Sequence, residues 1–278
     1  MSTVKAYIAL TRPSNVLITF ISVLIAAGLA GSIQPLANVL LACISASFIT
    51  IAANAINDFF DIEIDKVNKP FRPLPSGKIS PDSARIFSLS FFVAGIFLSV
   101  FIHWNCVIVA VGASILLYFY SARLKRTVLW GNLTVSIISA FAFIYGGLAV
   151  NRIKGAIFPA IFALLMHLGR EIVKDIQDQD GDKIANANTL PLAYGVTTAK
   201  TVVTITFALL LFATIIPYRI GYYNNVYLWI VVFGVDLVIL GITVILWRVT
   251  KPKHLNIVSD IIKADMVIGL LALYLGHV

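Results

Sequence analysis

Nine stretches of this 278-residue sequence are apolar over enough residues to cross a bilayer: 15–31, 38–60, 84–101, 105–120, 128–149, 155–174, 198–217, 225–246 and 258–276. A hydrocarbon core about 30 Å thick takes roughly 20 helical residues. Within it the backbone must satisfy its own hydrogen bonds, so isolated spans of this kind can only be helices. The fold class that follows is all-α: a polytopic membrane protein with nine transmembrane helices, read as one domain over 1–278. Composition agrees, with 59% hydrophobic and 12% charged residues, where soluble domains carry about 25% charged. A disordered chain, an ordinary soluble enzyme and a nucleic-acid partner are thereby excluded. No small-residue cleavage site follows the charged start, so the first span is expected to stay in place. The two cysteines, Cys43 and Cys106, are too few for a disulfide framework or a Cys-based zinc site.

The basic residues set the orientation. With the N-terminus on the cytoplasmic side, the inner segments are 1–14, 61–83, 121–127, 175–197 and 247–257. Only Arg152, Lys154 and Arg219 of the 21 Lys and Arg then fall outside. The net charge of +8 is therefore first a topology signal.

The acidic residues are more informative. Nine of 13 lie in two short segments: Asp58, Asp61, Glu63 and Asp65, then Glu171, Asp175, Asp178, Asp180 and Asp182. Asp58, Asp61 and Asp65 recur as Asp175, Asp178 and Asp182, each 117 residues on. Both groups precede a polar loop with Leu-Pro and Gly (Leu74-Pro75 and Gly77; Leu190-Pro191 and Gly195). This reads as a weak internal repeat, about 15–120 and 128–246, of the sort membrane proteins place around a central site.

Residues 0, +3 and +7 of a helix fall within an arc of about 60°. Each trio is thus expected on one helical face, with Asn54 joining the first face and His167 and Glu171 extending the second. The first helix is expected to stop near Asn68-Lys69-Pro70, and Gly181 to loosen the second. Two carboxylates 4 Å apart repel by about 4 kcal/mol at an effective dielectric of 20. Six in one cavity mouth call for cations, and hard oxygen donors select Mg²⁺, Mn²⁺ or Ca²⁺. Mg²⁺ takes one or two carboxylates and completes its shell with water and substrate phosphate. Two facing clusters would hold such ions around a diphosphate, with Arg72, Lys125 and Lys174 on the remaining oxygens. Glu63 and Asp180 read as solvated helix ends.

Asn57-Asp58-Phe59-Phe60-Asp61-Ile62-Glu63-Ile64-Asp65 resembles the NDxxDxxxD signature of the UbiA superfamily of intramembrane prenyltransferases. Asp178-Gln179-Asp180-Gly181-Asp182 is similar to that family's second motif, and Tyr120-Ser121 with Leu124-Lys125 to its third. The loop 68–77 and the opening Thr11-Arg12-Pro13-Ser14-Asn15 resemble the family as well. The resemblance implies helices around a central cavity that opens sideways for a polyprenyl chain. It implies Mg²⁺, with Mn²⁺ as substitute, held by Asn57, Asp61 and Asp65 at one site and by Asp178 and Asp182 at the other. Asp58 and Asp175 stand adjacent. All six Asp count as catalytic, and Asn15, Asn57, Arg72, Tyr120, Lys125 and Lys174 as substrate contacts. One departure stands out: Asn188 occupies a position where many relatives have Lys or Arg, so a phosphate contact is missing or comes from elsewhere.

Gly169-Arg170-Glu171-Ile172-Val173-Lys174-Asp175-Ile176 most resembles the ether-lipid subgroup, the digeranylgeranylglyceryl phosphate synthases. That implies geranylgeranyl diphosphate as donor and geranylgeranylglyceryl phosphate as acceptor, both lipids of the surrounding membrane, with the site facing the cytoplasm. Acceptors of the quinone, chlorophyll or haem pathways, and a cation transporter built on the same acids, are the alternatives. The acceptor's proton goes to released diphosphate, to an Asp of the second cluster or to His167. His103, His254 and His277 are expected at the interface. So are Tyr222, Tyr223 and Tyr227, while Tyr118, Tyr120 and Tyr145 are expected to line the cavity.

Overall fold

A computed structural model describes residues 3–31, 33–184, 186–248 and 255–277. The inner segment expected at 247–257, with His254, lies largely outside them. All nine expected spans are helical. In chain order the elements are α1 (Thr3–Thr11), α2 (Pro13–Leu29), α3 (Leu36–Phe60), α4 (Ile62–Asn68), α5 (Pro81–Val100), α6 (Trp104–Ala122), a 3-10 turn (Leu124–Arg126), α7 (Trp130–Ala149), α8 (Lys154–Gln177), α9 (Gln179–Ile184), α10 (Leu190–Tyr194), α11 (Val196–Arg219), α12 (Asn225–Ile230), a π-helical stretch (Val231–Asp236), α13 (Leu237–Arg248) and α14 (Leu255–Gly276). Among the described residues, the one bridge outside these helices pairs Tyr223 with His277.

Among the described residues, seven helices are long and apolar enough to cross a membrane, and α1 with α2, bent by 44°, make an eighth if the pair is one span. The ninth expected span is α14, a 22-residue helix. Asp260, Lys263 and Asp265 make it too charged to qualify on apolarity alone. Large apolar side chains such as Phe97, Phe212, Trp229 and Phe233 stand exposed along the helices. In water such a surface would aggregate; in a bilayer it meets lipid. The protein is an integral membrane protein.

Helix starts follow local chemistry. Pro13 opens α2, where its missing N–H costs nothing. Ser80 caps α5 by accepting from the Ser83 N–H, with Pro81 next. Asn224 caps α12 through the N–H groups of Val226 and Tyr227. His103, expected only as an interfacial residue, caps α6 by accepting from the Asn105 N–H.

The chain forms two compact units: 1–124 with 141–156, and 125–140 with 157–278. In the first, α3 packs against α2, α5 and α6. A Cβ on Gly95 would sit 3.0 Å from the Ser45 carbonyl oxygen, so α5 approaches α3 as only small residues allow. The Ser45 hydroxyl donates to the Gly95 carbonyl at 2.7 Å and pairs with the Tyr145 hydroxyl at 2.8 Å. Tyr145 is therefore packed in the core of this unit. In the second unit α14 packs on α12 and the π-helical stretch, and α11 on α13. Tyr223 and Tyr227, expected at the membrane interface, are buried there instead. Their rings stack 4.5 Å apart, and the Tyr227 hydroxyl donates to the Thr214 carbonyl at 2.8 Å. A buried tyrosine keeps its place in a core when its hydroxyl has an acceptor.

Candidate functional site

The two acidic groups are built alike. Asp58 lies on the last turn of α3, Asp61 at the joint, and Asp65 on the short α4. Likewise Asp175 ends α8, Asp178 is the joint, and Asp182 lies on the short α9. In both, helical hydrogen bonds continue across the break. Asp61 N–H donates to the Asn57 carbonyl at 3.0 Å and Asp65 N–H to the Asp61 carbonyl at 2.7 Å. Asp178 N–H donates to the Lys174 carbonyl at 2.8 Å and Asp182 N–H to the Asp178 carbonyl at 3.0 Å. Each acidic face, expected on one helix that ends soon after it, is thus built from a long helix, an acidic hinge residue and one short helix. α4 ends where Pro70 forbids continuation.

The partners differ. A turn from Lys69 to Arg72 folds the guanidinium back. Arg72 Nη1 reaches Asp65 Oδ2 at 2.6 Å and Asp58 Oδ1 at 3.1 Å. Arg12, at the bend between α1 and α2, also pairs with Asp58. Its backbone is left-handed, with φ of 52°. The amide of Asn54 fixes this bend by donating to the Thr11 carbonyl at 2.8 Å. Asn54 lies one turn before Asp58 on α3, as expected, and there serves the bend. Asn57 and Asp61 are half-buried at the same joint. Asn15 is half-buried in the first turn of α2, where Thr19 bonds its carbonyl.

At the second joint Asn132 of α7 donates to Asp175 Oδ2 at 2.8 Å. Asp178 is exposed and accepts from the Gln177 amide at 3.2 Å. Burial, and next the nearby Asp178 carboxylate, push Asp182 up to about 6. Lys174, expected on a phosphate, holds Glu171 at 3.2 Å. Glu63 and Asp180 are exposed, as expected. Lys125 sits in the 3-10 turn, half-buried. The Asn188 N–H donates to the neighbouring Arg126 carbonyl at 2.8 Å. Basic residues of that turn therefore stand beside the position where Asn188 supplies no charge. Tyr120, on the last turn of α6, is half-buried in the first unit.

Arg12 and Asn132 were missed as site residues. Arg12 lay inside a recognised opening segment, and Asn132 was a polar residue within an apolar span, a signal worth reading.

Among the described residues, no three His, Cys, Asp or Glu side chains stand close enough to hold an ion as they are. The donors nonetheless fit a hard divalent cation. They are oxygens, and at the second joint two carboxylates repel each other.

Residues 15–257 match the model of the UbiA prenyltransferase family. The chain belongs to that family. It is 36% identical over 271 residues to a digeranylgeranylglyceryl phosphate synthase of Methanopyrus kandleri, covering 96% of this chain and 97% of that one. A solved structure of a digeranylgeranylglyceryl phosphate synthase superposes with a TM-score of 0.86 at 31% identity, over 99% of both chains. A UbiA homologue from Archaeoglobus fulgidus, bound to DMAPP and Mg²⁺, shares the fold at a TM-score of 0.65 and 20% identity, over 96% of this chain and 98% of that one. This chain is thus an all-helical UbiA-family membrane prenyltransferase.

Proposed function

We propose that this UbiA-family chain transfers the geranylgeranyl group of geranylgeranyl diphosphate to the hydroxyl of geranylgeranylglyceryl phosphate, with Mg²⁺, to make an ether-lipid precursor. Relatives alike over nearly their whole length carry the matching name. The observation that carries the chemistry is the pair of acidic joints of the same construction.

Asp61 with Asn57, and Asp178 with Asp182, are the oxygens assigned to metal; Asp65 remains a candidate ligand shared with Arg72. Bound Mg²⁺ would neutralise the diphosphate and assist allylic C–O cleavage. Asp58 and Asp65 hold Arg72 in place, and its remaining donors suit phosphate oxygens. Lys125 and Lys174 add positive charge where negative charge develops. The C1–O bond breaks and its electron pair leaves with the diphosphate. The acceptor oxygen bonds to C1, and its proton passes to released diphosphate. Helices surrounded by lipid keep bulk water from the reacting carbon. The joints lie on the cytoplasmic side by the distribution of basic residues. Tyr120 and Asn15 are assigned to the substrates on their family motifs.

The test is turnover of purified protein with labelled geranylgeranyl diphosphate. Label should enter geranylgeranylglyceryl phosphate with release of diphosphate, and excess EDTA should abolish it. Asp61→Ala and Asp178→Ala should each lose about a thousandfold, the rate equivalent of several kcal/mol of metal stabilisation, with the fold intact. Label in 4-hydroxybenzoate instead would move the protein to an aromatic-acceptor subgroup. Metal flux without diphosphate release would make it a transporter.

A further inference from the structure

The segment that marks the ether-lipid subgroup contributes only Lys174 and Asp175 to the chemistry above, and Arg170 and Glu171 have no part in it. His167, Arg170, Glu171 and Lys174 are spaced 0, 3, 4 and 7, one face of α8. The opposite face is pinned: a Cβ on Gly169 would fall 2.2 Å from Phe207 Cε1 on α11. Glu171 accepts from Arg170 Nη1 at 2.9 Å and from Lys174 at 3.2 Å, with only 12% of its side chain exposed. One carboxylate thus shares two cations, and Lys174 also faces Asp175, so Arg170, deeper in the span, is the charge that calls for a further partner. Among the described residues, Arg170 Nε and His167 Nδ1 are both buried without a hydrogen-bond partner. A buried donor left unpaired is costly. An anion with several oxygens would satisfy both the charge and the Arg170 donor, and the guanidinium fork suits phosphate.

We propose that Arg170, held by Glu171 and joined by His167, forms the subsite for the phosphate monoester of the lipid acceptor, with Lys174 between it and the diphosphate. It rests on the acceptor being a glyceryl phosphate, as proposed above. Arg170 lies eight residues before Asp178, about 12 Å of helical rise. That separation leaves room for a glycerol backbone and the reacting carbon between the monoester and the diphosphate end of α8.

The test compares geranylgeranylglyceryl phosphate with its dephosphorylated alcohol, using geranylgeranyl diphosphate as donor. The native enzyme should prefer the phosphate. Arg170→Gln should cut that preference about ten- to hundredfold, the size of one lost charged hydrogen bond. KM for the phosphorylated acceptor should rise, while KM for the donor stays within twofold. Arg170→Gln frees Glu171, so the charge-balanced pair Arg170→Gln with Glu171→Gln guards against misfolding and should show the same loss of preference. An unchanged preference in both variants, or a rise confined to KM for the donor, overturns the subsite. If the native enzyme labels neither acceptor, the acceptor reading fails first and the subsite falls with it.

Discussion

Arg72 shows how a single side chain can serve both folding and chemistry. It spans the α3–α4 joint by touching Asp58 and Asp65, whose side chains are only 4% and 6% exposed. A buried carboxylate stripped of its partner costs about 3–5 kcal/mol. Arg72→Ala leaves Asp65 in that position, while Asp58 keeps Arg12. In EDTA the variant should therefore unfold at a clearly lower temperature than the native protein. A divalent cation can take the place of the lost guanidinium, so Mg²⁺ should restore more stability to Arg72→Ala than it adds to the native protein. Thermal midpoints of both proteins, with and without Mg²⁺, measure this. Equal Mg²⁺ effects would show that the first joint does not take the ion. The second joint has no such arginine on Asp178 or Asp182 among the described contacts, and Asp182 answers its burial and its neighbour by holding a proton up to about pH 6.

At the scale of elements, the repeated spacing of the aspartates was legible because chemistry fixes residue types at intervals. The hinge was not, since a regular helix and a jointed one share the same i→i+4 bonds through Asp61 and Asp178. Long apolar helices could be read to within a few residues from hydrophobic run length. Partners that come from another element could not: Arg12 reaches Asp58 from the α1–α2 bend, and Asn132 reaches Asp175 from α7. Nor could the fate of Tyr223 and Tyr227, because the sequence shows an aromatic cluster but not whether a core receives it. The π-helical stretch is a further such case. It brings Asp236 to the Thr214 hydroxyl at 3.3 Å, and α14 packs against it with Asp265 buried and both carboxylate oxygens unpartnered among the described residues. The Asp236 carboxylate is near enough to act on Asp265 electrostatically. Asp265→Asn keeps the shape and removes the charge. It should hold or raise the stability, read as the thermal midpoint, by up to about 1–3 kcal/mol, because it removes a buried charge that has no partner among the described residues. A marked fall instead would reveal that the carboxylate binds a cation within the membrane.

For the whole molecule the decisive quantity is which side each joint occupies. The proposed topology has α3 and α8 as the second and sixth spans, running in the same direction, and so requires both joints on the cytoplasmic side. If one span were miscounted between them, the two acidic groups would end on opposite faces and no single diphosphate could use both. Cys43 and Cys106 are free and fully buried, so an impermeant maleimide should pass them by and they can stay in place. Cysteine introduced at Lys78, at Lys183 or at Lys154, all three exposed, then reports one segment each. On intact cells the reagent should label Lys154→Cys and leave Lys78→Cys and Lys183→Cys unmodified; inside-out vesicles should give the reverse. The outcome that matters most is agreement between positions 78 and 183. Labelling of one from outside and the other from inside would separate the joints by the thickness of the membrane, and the paired-joint chemistry would have to be abandoned.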